Sequence, residues 1–163
     1  MKLGLALGDV CDAEGEVGRQ LNVLGERHKA DHDVFHLTET LQLIARANIG
    51  RLAPHGERYG VRVDAEDMPE EHGASLLEKA REKTSELVGR RPESGLLLIR
   101  DLRKLHLIYA EASINYVILG QGAQAARDRE LHEACSGCHA QTLRGMKWTL
   151  TRIKIAAPQV LTS

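Results

Sequence analysis

Residues Cys135-Ser136-Gly137-Cys138-His139 spell C-x-x-C-H, and two opposed chemistries use that spelling. With both thiols and the histidine engaged, the motif attaches a c-type haem: the sulfurs become thioethers and the imidazole binds iron. C-x-x-C alone holds a metal or cycles as a dithiol. A redox dithiol needs its first cysteine at a helix N-terminus, where the thiolate is stabilised. Here the pair falls well inside a long apolar-striped segment, where a free cysteine packs as a small hydrophobe. Haem is not expected either. After Met1, Lys2 leads into a short apolar stretch that Asp9 and Asp12 close too soon for a signal-peptide core. Cys135 and Cys138 are expected as reduced thiols facing the core of a cytoplasmic protein.

Two acids stand where apolar residues are due. Glu14 interrupts a row made of Leu7, Val10, Val17, Leu21 and Leu24, and Glu111 interrupts Leu107, Ile114 and Ile118. A carboxylate carried into a core needs a cation, an arginine or a proton to offset its desolvation. Arg46 is one candidate counter-ion. His28, His32 and His36 are spaced by four, but a turn is expected among them, which makes them surface histidines near a bundle end. Asp33-x-x-His36 lies at that same end. His106 and His132 have no evident partner. Lys147, Arg152 and Lys154 around Trp148 give the last helix a basic end that its dipole favours.

The elements that position these residues are helical. The chain has 163 residues, 42% of them hydrophobic but only 3% aromatic, and three cysteines. That length supports one core and one domain over residues 1–163. A net charge of −1 excludes a polyelectrolyte signature, so nucleic acid is not an expected partner. No segment is apolar for long enough to span a membrane.

Periodicity of three and four predicts a first helix from about Leu3 to Arg27 and a second starting at an Asp31 N-cap. The second carries Val34, Leu37, Leu41, Ile44, Asn48 and Leu52. Pro54 and Gly56 disturb its end, and Gly60 finishes it. Residues from about 61 to 95 read as a crossover, with a short helix from Ala74 to Val88. A third helix is expected from about Leu96 to Leu119, with Leu98, Leu102, Leu105, Tyr109, Ala112, Tyr116 and Leu119 on one stripe. Gly120-Gln121-Gly122 offers a turn. The fourth helix then runs from about Ala125 to Ala156, stopping before Pro158. Its stripe is Leu131, Cys135, Cys138, Thr142, Gly145, Thr149 and Ile153.

Two helical hairpins joined by one long crossover resemble the ferritin-like four-helix bundle, over roughly the whole chain. Members with a di-metal centre place one Glu on each of two helices and Glu-x-x-His on the other two. The resemblance puts Glu14 and Glu111 at the single-Glu positions, buried and facing each other. It sets Cys135, Cys138 and His139 at the same level. Iron, manganese or zinc would be the metal of such a Glu14, Glu111, Cys135, Cys138, His139 set. The sequence departs from the family where Glu-x-x-His is due. The second helix has Ile44-Ala45-Arg46-Ala47-Asn48-Ile49, and the fourth has only the cysteine motif. Two readings follow: a ferritin-like bundle with a metal at its centre, or a structural or interaction bundle that has lost its ligands. A c-type cytochrome of the four-helix class is a third. The resemblance also implies association of copies through exposed helix faces.

Overall fold

A computed structural model describes residues 2–63 and 94–163. Among them are four long helices and no β-strand: α1 (Leu3–Arg27), α2 (His32–Leu52), α3 (Ser94–Ala125) and α4 (Arg129–Leu161). Most of the expected crossover, and its short helix, lie outside the described residues.

The first hairpin forms as its sequence directs. Leu7, Val10, Glu14, Val17, Leu21 and Leu24 make the buried stripe of α1. The chain turns after Arg27, and Asp31 caps α2 by accepting the Val34 N–H at 3.1 Å. Val34, Thr38, Leu41, Ala45, Asn48, Ile49 and Leu52 face inward from α2. Two 3-10 turns, Ala53–His55 and Glu57–Tyr59, follow Leu52, and Gly60 closes them in the left-handed region at φ 72°.

The second hairpin departs from its expected boundaries. Helix α3 does not turn at Gly120-Gln121-Gly122 but continues to Ala125. A Cβ on Gly122 would lie 2.7 Å from Leu3 Cδ1, so this glycine admits α1 to close packing. The turn falls instead at 126–128, with Arg127 at φ 57° and Asp128 accepting the Leu131 N–H to start α4. Nor does α4 stop before Pro158; it runs through it to Leu161. Proline in a last turn forfeits little, because few hydrogen bonds remain beyond it.

Contacts at the two ends set the helix directions. At one end the C-terminus of α1 meets the start of α3: Arg27 and His28 both reach Asp101 at 2.8 Å. There too Arg152 of α4 donates to Asp31 at 2.9 Å. At the other end Tyr59, after α2, donates to Asp128 at the start of α4. Each of α1 and α4 thus lies antiparallel to both α2 and α3. Helices α2 and α3 point the same way.

The core divides into two apolar clusters. Leu3, Leu7, Val10, Ile49, Leu52, Leu119 and Leu131 lead one; Val17, Leu21, Leu24, Leu41, Leu102 and Leu105 lead the other. Glu14, Asn48 and Thr142 form a buried polar layer.

Candidate functional site

Every helix contributes one polar group to that layer. Glu14 of α1 is 1% exposed. Its Oε1 accepts hydrogen bonds from Asn48 Nδ2 of α2 at 3.0 Å, Tyr116 Oη of α3 at 2.7 Å and Thr142 Oγ1 of α4 at 2.6 Å. Burial pushes the Glu14 carboxyl above its ordinary value. The three donors pull the other way and recover only part of the shift. The Tyr116 hydroxyl is driven up as well, by its own burial and by the carboxylate it faces. The layer is a shared hydrogen-bond network around a carboxyl that favours its proton.

The cysteines adjoin this layer without converging on it. Cys135 Sγ donates to the Tyr116 carbonyl of α3 at 3.3 Å, whereas Cys138 Sγ turns to the Asn48 carbonyl of α2 at 3.8 Å. Cys11 of α1 is the third thiol, and all three are buried and free. Burial raises Cys11 to about 12 and Cys135 to about 11, and it raises Cys138 too. Such thiols are poor nucleophiles near neutral pH.

His139 leaves the core. Its Nε2 meets Ser113 Oγ at 2.8 Å on the α3–α4 seam, and its ring stacks on Tyr116 with centroids 5.4 Å apart. Partial burial lowers its pKa, so the ring is neutral at pH 7. A Ser–His contact invites comparison with a nucleophile and its base. Among the described residues, however, no carboxylate orients the other ring nitrogen, so the pair lacks the third group of such a site.

Glu111 is the principal correction. It is exposed, not buried, and it is not among the groups that act on Glu14. Two apolar rows run along α3, and the row of Tyr109, Ala112 and Tyr116 faces the core. The row of Leu107, Glu111, Ile114 and Ile118 faces outward. Arg46 is also exposed and is not the partner of Glu14; Asn48, two positions on, takes that place. His28 is buried against Asp101 instead of lying on the surface, while His32 and His36 are exposed as expected. His106 has a partner after all, Thr149 Oγ1 at 2.8 Å.

The five candidate ligands are therefore not brought together in this structure. Among the described residues no three of the His, Cys, Asp and Glu side chains are grouped to hold a metal. Tyr116 and Thr142 were on the expected stripes but carried no assigned role. Their signal was available: Asn48 and Thr142 are polar breaks in apolar rows, midway along their helices like Glu14. No helix of the described residues is long and apolar enough to cross a membrane. No protein-family model, curated protein or solved structure matches the chain.

Proposed function

We propose that this protein is a bundle of ferritin-like connectivity acting as a structural or interaction module, its centre closed by its own hydrogen bonds in place of a ligand cage. The observation that carries this reading is the convergence of Asn48, Tyr116 and Thr142 on one oxygen of Glu14. A buried carboxyl without a cation needs a proton or donors, and this layer offers both. The shared direction of α2 and α3 supports the connectivity. Parallel neighbours in sequence require a connection running the length of the bundle, as in that family. An odd number of cysteines, all three free and buried, supports a reducing compartment, the cytoplasm. The divergence of Cys135, Cys138 and His139 supports the reading over a c-type cytochrome, whose motif must present all three side chains to one haem.

Metal analysis tests it. Protein made without a histidine tag is offered ferrous iron, manganese and zinc, desalted, and assayed for bound metal. Well under one equivalent is expected for each. A full equivalent that Glu14→Gln removes would restore the metal-binding reading and overturn this one.

A further inference from the structure

Among the described residues, the α3–α4 face carries apolar surface that the bundle does not use. Leu107, Ile114 and Ile118 recur on the outer row of α3, each more than half exposed, and Val117 flanks them. On α4, Leu143 and Leu150 are each 41% exposed. The Ser113–His139 and His106–Thr149 contacts form the seam between the two helices. Helices α3 and α4 run antiparallel, and the Ser113–His139 and His106–Met146 contacts set their register, so Leu143, one turn beyond His139, falls about level with Ala110, between Leu107 and Ile114 on the outer side of α3. An exposed leucine on its own needs no explanation, but six large aliphatic residues on neighbouring helices make a patch.

We propose that this face pairs with the same face of a second copy, giving a two-fold dimer across α3 and α4. The proposal rests on the interaction-module reading and names its partner. Area supports it. The six side chains offer on the order of 500 Å² per copy, and with a polar rim a two-fold pairing reaches the roughly 1,200–2,000 Å² that stable complexes bury. Charge supports it too. Exposed Arg100, Arg103 and Lys104 lie at one end of the α3 stripe. Antiparallel pairing of the α3 helices about a two-fold axis holds those basic ends apart and sets Leu107 over Ile118 of the second copy. Glu111 sits one turn before Asn115, which reaches the Asp9 carbonyl of α1. That keeps Glu111 on the edge away from α4, at the solvated rim. A two-fold contact needs a self-complementary surface, and a continuous aliphatic patch is one.

Sedimentation equilibrium of the full chain at micromolar concentration is the test. The expected mass is twice the 18.0 kDa of one chain. Ile114→Glu should raise the dimer dissociation constant roughly 30-fold or more, as loss of a central anchor does. Leu43→Glu, at a leucine of α2 that is 66% exposed, should leave it unchanged. Should Ile114→Glu lose its helical circular dichroism, Val117→Lys on the same patch carries the comparison. A monomer at every concentration, or a dimer that Leu43→Glu weakens and the patch variants do not, overturns the proposal. A dimer that also binds a full equivalent of metal would overturn the central-layer reading alone.

Discussion

Glu14 binds its proton more tightly in the folded protein than in the unfolded chain, and this makes stability depend on pH. Below its ordinary pKa of 4.5 both states carry the proton. Above it the unfolded state releases the proton first, so the contribution of neutral Glu14 is lost as pH rises through the folded pKa. Glu14→Gln keeps a carbonyl oxygen for the three donors and cannot ionise. Urea unfolding at several pH values should show the two proteins closest near pH 4. The wild type should then fall behind by up to about 1.4 kcal/mol per pH unit across the titration. A difference that does not change with pH would mean that Glu14 keeps its ordinary pKa. The thiols give a second prediction at this scale. With Cys135 at about 11 and Cys11 at about 12, only roughly one thiol in a thousand or fewer is ionised at pH 8. Alkylation of the native protein at that pH should therefore be far slower than after denaturation; equal rates would refute their burial. The inward placement of Glu14 was legible because it is the one acid in an otherwise apolar row. The outward placement of Glu111 was not. Helix α3 has two apolar rows, and periodicity does not say which one a neighbouring helix will cover.

Boundaries within the second hairpin were read from glycine and proline, and both residues serve a different end here. Glycine marks a turn where the backbone needs it, but it equally marks a place where something packs against a helix. Gly145 of α4 is such a place: a Cβ there would run into the Tyr109 ring of α3. Gly145→Ala should destabilise by about 1–3 kcal/mol through overpacking, despite the gain in helix propensity. Gly15 of α1 has nothing within 4 Å of the corresponding position. Gly15→Ala should therefore stabilise by up to about 1 kcal/mol. Thermal unfolding of the two variants checks this, and equal shifts would show that Tyr109 yields to the methyl group. The first hairpin was legible almost to the residue. Its stop and start signals are local: the Asp31 cap accepts from the residue three positions on, and Gly60 stands in the left-handed region. The close approach of Gly122 to Leu3 joins residues distant in the chain, and no local pattern reports it.

Helix direction links these elements into one arrangement, and it makes a measurable demand on the whole molecule. Residue 62 lies beside the α1 N-terminus and the α3–α4 turn: Val61 would meet a Cβ on Gly4, and Tyr59 is bonded to Asp128. Ser94 begins α3 at the opposite end, where a Cβ on Gly95 would meet Val160 near the end of α4. The 32 residues of α3 span about 48 Å, so positions 62 and 94 should be separated by most of that length. The all-helical class was legible from composition and period. The docking of one hairpin on the other was not, because any apolar stripe can face any other. What orients the bundle is a few polar contacts at its ends, Asp101 with Arg27 and His28, and Asp31 with Arg152. Spin labels on Arg62→Cys and Ser94→Cys test the arrangement directly, since the three native thiols are buried and react slowly. A dipolar distance of about 40–50 Å is expected from the helix rise. A distance under about 25 Å would place both ends of the connection on the same side of the bundle. It would reverse α3 and α4 relative to the first hairpin and remove the support for ferritin-like connectivity.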